Sequence, residues 1–139
     1  MLRNPVEELL QLHYLKKMII SYNNLLEMWP LPLQLEILIV SHNNLKSIGE
    51  NIAKLLNLKV LDVSYNQILN CNGVQQLTKL QTLNLSNNSI DSLEHCNKLV
   101  NLKECYLQHN NISIWNSLHP LAELPSIELI VIDENPVLK

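Results

Sequence analysis

The octamer LNLSNNSI (83–90) constrains this chain more than any other feature, because it recurs. It aligns with MIISYNNL (18–25), LIVSHNNL (38–45), LDVSYNQI (61–68), CYLQHNNI (105–112) and IVIDENPV (130–137). The asparagines at its sixth position are Asn23, Asn43, Asn66, Asn88, Asn110 and Asn135, separated by 20, 23, 22, 22 and 25 residues. Self-similarity at such a period marks a stacked repeat. One unit cannot bury its own apolar face, so its neighbours must complete the core.

The segments between the octamers are equally regular. Ile68, Cys71, Val74, Leu77, Leu80 and Leu83 lie three apart, and Ile90, Leu93, Cys96, Leu99, Leu102 and Cys105 repeat the series. Within each octamer, alternation fits a short strand that sends one set of side chains inward and the other outward. The chain thus matches the pattern L-x-x-L-x-L-x-x-N-x-L six times. It resembles the leucine-rich repeat family, in its intracellular 22-residue-repeat subclass, over essentially its whole length. That resemblance implies an α/β fold: a right-handed solenoid (a horseshoe) with a parallel β-sheet on the concave face. The expected organisation is one domain over 1–139. Residues 1–15 form an N-terminal helical cap or partial repeat, and 16–139 form six strand-bearing repeats. The resemblance also implies that the six asparagines form a structural ladder, their amides bonding backbone groups inside the turns. Each buried backbone group left unpaired by losing one would cost about 1–3 kcal/mol.

Composition narrows the function. A formal charge of −3 argues against a nucleic-acid or membrane-surface partner. The first twenty residues hold no unbroken apolar block of the kind a signal sequence needs. No run approaches the roughly 20 apolar residues required to cross a bilayer. Cys71, Cys96 and Cys105 each fall where the pattern calls for Leu or Ile, and they read as buried apolar residues. The sequence shows no disulfide-bonded cap, which points to a reducing compartment. The expected location is therefore cytoplasmic, with cytoskeletal, axonemal or nuclear variants. The glycosylation-like triplets at Asn84, Asn87 and Asn111 arise from the asparagines and serines that the repeat itself favours.

No catalytic grammar is present. With only Gly49 and Gly73, a glycine-rich phosphate loop is excluded. His42 and His109 occupy one repeat position three repeats apart, roughly 14 Å at ~4.8 Å per strand, too far to share a metal. His13, His95 and His119 read as surface residues. The chain is therefore expected to be no enzyme, with no catalytic residue, cofactor, metal or small-molecule substrate.

The candidate site is the concave face and its protein partner. One outward strand row is Ile19, Ile39, Asp62, Asn84, Tyr106 and Val131, and an edge row is Lys17, Ile37, Val60, Thr82, Glu104 and Leu129. A serine-rich row, Ser21, Ser41, Ser64, Ser86, Gln108 and Asp133, reads as small outward polar residues. A third row, Tyr22, His42, Tyr65, Asn87, His109 and Glu134, offers amphipathic area suited to recognition. Tyr22, Ile39, His42, Asp62, Tyr65, Asn84, Asn87, Tyr106 and His109 are the expected contacts. Ile19, Ile37, Ile39 and Val60 form an apolar patch, open to a partner or to a flanking segment. Lys16, Lys59 and Lys103 read as spaced rim charges, and a nucleic-acid groove is not expected.

The ends differ from the middle. Asn4 as N-cap, Pro5 at the first helical position and Glu7 and Glu8 after it predict a short helix. Val6, Leu9, Leu12 and Leu15 continue the three-residue spacing into the first strand. At the other end Lys139 follows ENPVLK, where relatives begin a capping segment, so a fragment or a covered end is expected. The last repeat, with Trp115, Leu121-Ala-Glu-Leu-Pro125 and Asn135-Pro136, resembles axonemal dynein light chain of the leucine-rich type. Similar endings occur in the A-prime subunit of the splicing U2 particle. The dynein likeness implies a motor heavy chain, tubulin or another cytoskeletal protein as partner. Trp115 is expected to pack the longer final repeat.

Overall fold

The computed structural model describes residues 5–139, and Asn4, the expected N-cap, lies outside them. A short helix α1 (Pro5–Leu10) opens the chain, with Glu7 and Glu8 in its first turn. Six three-residue strands follow: β1 (Lys17–Ile19), β2 (Ile37–Ile39), β3 (Val60–Asp62), β4 (Thr82–Asn84), β5 (Glu104–Tyr106) and β6 (Leu129–Val131). They form one parallel sheet in sequential order. Its register aligns Met18, Leu38, Leu61, Leu83, Cys105 and Ile130, the first residues of the six octamers. The repeat grammar therefore sets both strand order and pairing.

The chain returns behind the sheet through short helical pieces. These are α2 (Glu50–Ala53), α3 (His119–Ala122), and single 3₁₀ turns at Val74–Gln76, Glu94–Cys96 and Trp115–Leu118. A three-residue apolar spacing suits these forms, since a 3₁₀ turn brings every third side chain back to the same side. Gly73 opens one turn at φ 112°, a region other residues avoid, and a Cβ there would meet Ile48 Cγ2 at 3.3 Å.

The core lies between sheet and back segments. Every member of the Ile68–Leu83 and Ile90–Cys105 spacing series is fully buried, cysteines included. Burying each leucine contributes roughly 1.5–3 kcal/mol. Burial fades at both ends: Met18 is only partly covered, and Ile130 is 38% exposed where Leu61, Leu83 and Cys105 are at 0%. In the N-terminal spacing series Leu9 and Leu15 pack on the core, whereas Leu12 is exposed.

Two expectations are corrected. Trp115 does not pack the final repeat: it is 58% exposed, beside the exposed Ile114. The extra turn of that repeat is anchored by Leu121 and Leu124, both buried, with Leu118 partly so. The serine row is not uniformly outward either, since Ser64 and Ser86 are buried.

Candidate functional site

The outward surface is built by what happens just past each strand. Strict alternation would send Tyr22, His42, Tyr65, Asn87, His109 and Glu134 inward. Instead all six adopt left-handed backbone, with φ between 54° and 59°. Such a residue ends the alternation, so it points out and the following asparagine points in. Left-handed backbone costs roughly 1–2 kcal/mol for an ordinary residue, and Asn tolerates it best. It persists because backbone bonds over-determine it: the amides of Tyr22, His42, Tyr65, Asn87 and His109 donate to Ser41, Ser64, Ser86, Gln108 and Asp133 carbonyls at 2.9–3.2 Å.

The asparagines complete the lock. Asn66 Nδ2 donates to the Val40, Val63 and Ser64 carbonyls at 3.0–3.1 Å, and its Oδ1 accepts from the Leu45 amide at 2.9 Å. Asn43, Asn88, Asn110 and Asn135 repeat this pattern, each joining its own turn to the preceding repeat. Asn23 is exposed, and among the described residues its amide reaches only the Ile20 and Ser21 carbonyls of its own turn, with no bridge to another repeat.

The nine expected contact residues divide into two rows. Tyr22, His42, Tyr65, Asn87 and His109 stand at the rim beyond the strands, while Ile39, Asp62, Asn84 and Tyr106 lie on β2 to β5. The structure brings three of the rim residues together. His42 is stacked between Tyr22 and Tyr65, with ring centroids 4.1 Å apart on both sides and planes within 11°. Tyr22 is 76% exposed and Tyr65 49% exposed, so the column is ordered but uncovered. Ile19 is exposed beside it, and Ile37, Ile39 and Val60 are partly covered. Asn87 and His109 do not join the stack.

On the strands, two nominated side chains are partly occupied by their own turns. Asp62 Oδ1 accepts from the Ser64 amide at 2.9 Å and its hydroxyl at 2.6 Å, and Asn84 Oδ1 does the same with Ser86. This explains the buried serines, and the Asp-x-Ser and Asn-x-Ser spacing was the available signal. Glu104 was not nominated, yet it organises the middle of the face. Its carboxylate accepts from the Thr82 hydroxyl at 3.2 Å and from the Tyr106 hydroxyl at 3.1 Å. That bond raises the Tyr106 phenol above its usual range. Glu36 is a second missed residue. It lies between Lys59 at 3.3 Å and Lys16 at 3.5 Å, which together hold its carboxyl below the usual carboxylate range, Lys59 contributing most. Two of the three rim lysines are thereby paired.

All three cysteines are buried, and two of them are poor nucleophiles. Contact with the Cys96 thiol and then burial push Cys71 well up, and burial does the same to Cys105, so neither forms the nucleophilic thiolate readily. Among the described residues, no three His, Cys, Asp or Glu side chains converge as a metal site. No helix among them is long and apolar enough to cross a membrane.

Six parallel strands, 3₁₀ and helical returns and an asparagine bridge between turns decide the architecture. The fold is a leucine-rich-repeat solenoid. Residues 34–90 match the leucine rich repeat family profile. Solved structures agree along most of the chain. An internalin (InlF) from Listeria monocytogenes superposes with TM-score 0.71 at 22% identity, over 89% of this chain and 43% of that one. An internalin C2 (InlC2) from the same organism gives 0.66 at 30% identity, over 71% and 42%. The LRR ectodomain of the receptor kinase SOBIR1 from Arabidopsis thaliana gives 0.66 at 20%, over 86% and 68%. This solenoid thus spans under half the length of either internalin. No significant match exists among curated proteins. Solenoids of this class generally act as protein–protein interaction scaffolds on their extended concave surfaces.

Proposed function

We propose that this solenoid is a non-enzymatic scaffold whose protein partner lies on the outward face of the sheet and its aromatic rim. The observation that carries this reading is the Tyr22–His42–Tyr65 column, three rings held parallel in the open beside exposed Ile19. Aromatic area of this kind dominates protein interfaces, and here it is already ordered, so binding loses little conformational freedom. The partner contacts Tyr22, Ile39, His42, Asp62, Tyr65, Asn84, Asn87, Tyr106 and His109.

The likeness of the last repeat to axonemal dynein light chain supports a cytoplasmic, cytoskeletal setting with a motor, tubulin or similar partner. A second reading has support from the C-terminal edge. Leu129, Ile130 and Leu138 are exposed there, as they would be in a repeat domain that docks within a larger polypeptide. Regulatory-subunit roles, in a phosphatase or splicing particle, rest on subclass likeness.

Capture from cell extract on immobilised protein tests the first reading. A Tyr65→Ala/Tyr106→Ala chain should lose the partner by about tenfold or more, while Leu56→Ala on the back should retain it. Equal recovery by all three chains would contradict it.

A further inference from the structure

The outward face changes chemistry along its length. Over β1 to β3 it offers Ile19, Ile37, Ile39, Val60 and the aromatic column. From Asp62 onward it turns acidic. Glu104 is bonded by two neutral hydroxyls, which orient its carboxylate without neutralising it. Asp62 spends Oδ1 on Ser64, leaving Oδ2 free. Asp133 and Glu134 follow β6 and line a recess of about 520 Å³ with Gln108 and His109. Among the described residues, none of these four acids has an ion pair. A second observation points the same way. Gln108, which lines that recess, has a buried Oε1 with no hydrogen-bond partner. A buried acceptor without a donor is costly, and an N–H or O–H donor relieves it. The cations nearby are Lys17, at the far end on β1, Lys16 and Lys59, tied to Glu36, Lys103 on the strand-entry rim, and Lys139, which lines the recess without an ion pair to Asp133 or Glu134.

We propose that the face takes a basic polypeptide segment of a partner protein, laid across the strands. Its apolar residues cover Ile19, Ile37, Ile39 and Val60, and its Lys or Arg side chains meet Asp62, Glu104 and the Gln108–Asp133–Glu134 recess. Asp62 and Glu104 lie two strands and two residues apart, about 12 Å, which extended chain covers in roughly four residues. An anionic partner would meet four unpaired carboxylates. This inference rests on the outward face being the binding surface.

The test is selection of random 12-residue peptides displayed on phage against the full chain, followed by binding of the winners as synthetic peptides. The expected winners combine Lys or Arg with apolar residues. They should bind a Asp62→Asn/Glu104→Gln chain about tenfold more weakly and weaken further as salt rises. Asn at 62 keeps the acceptor oxygen that Ser64 uses, as Asn84 already does with Ser86. Gln at 104 keeps one of the two acceptor oxygens, while its amide nitrogen can donate to the other hydroxyl. Neutral or acidic winners, winners indifferent to the charge-removing substitutions, or no winners at all would each overturn the proposal. Tyr65→Ala separates the two claims. Non-basic winners that lose binding to Tyr65→Ala leave the face standing and remove the charge argument. Basic winners that bind Tyr65→Ala undiminished remove the face itself.

Discussion

Tyr22, His42 and Tyr65 share one backbone conformation with Asn87, His109 and Glu134, yet only the first three stack. The repeat imposes the same left-handed turn in both halves, with the amide bond at every position but Glu134 and a bridging asparagine behind every position but Tyr22. Side-chain identity alone separates them. The repeat builds a track whose spacing suits stacked rings, and the residues placed on that track decide whether it becomes an aromatic rim or a polar one. What is repeated is architecture, and what is not repeated carries recognition.

The largest effect should come from breaking the shared track. Asn66→Ala removes four bonds to buried backbone and should cost about 3 kcal/mol in urea unfolding, a large share of ordinary domain stability. Asn23→Ala, at the unbridged first turn, should cost less than about 1 kcal/mol. Similar losses for the two would mean that the bridges between repeats are not what matters.

Next in size are changes to the rings. Tyr65→Ala should cost about 1 kcal/mol and reduce the near-ultraviolet circular dichroism of the column. Asn87→Tyr is the converse. It should lengthen the stack and increase that signal, with stability changed by less than about 1 kcal/mol, because stacking offsets the poorer tolerance of Tyr for a left-handed turn. No gain in signal would show that the two halves differ in geometry after all.

The smallest effect concerns the strand-entry rim. Lys59 and Lys16 depress the Glu36 carboxyl below its reference value of 4.5. A depressed folded value means stabilisation that is present above the unfolded value and is lost as pH falls through the folded one. Glu36→Gln should therefore lower stability slightly near neutrality and flatten the decline on acidification below about pH 4.5. A variant that tracks the parent at every pH would remove these pairs from the account.

Much of this was legible in the sequence. Each octamer defined a strand, its register and its inward residues, because burial at period two leaves no freedom to slip. The three-residue spacing placed every buried residue of the central back segments, cysteines included. The left-handed turns were not legible. They fall on Tyr, His, Asn and Glu, where glycine would have been the local signal, and at five of the six they are held by bonds to the next repeat that only stacking creates. Trp115 misled for a related reason. Its size and apolar character suggest burial, but the inward positions of that turn already belong to Leu118, Leu121 and Leu124. Glu104 was hidden because its role depends on Thr82 one strand away.

The most direct test of the account is site-specific photocrosslinking. A benzophenone side chain placed at Ile19, on the outward face beside the column, should crosslink the captured partner. The same group at Leu56, equally exposed on the back of the solenoid, should not. Crosslinking from Leu56 and none from Ile19 would contradict the assignment of the outward face as the binding surface.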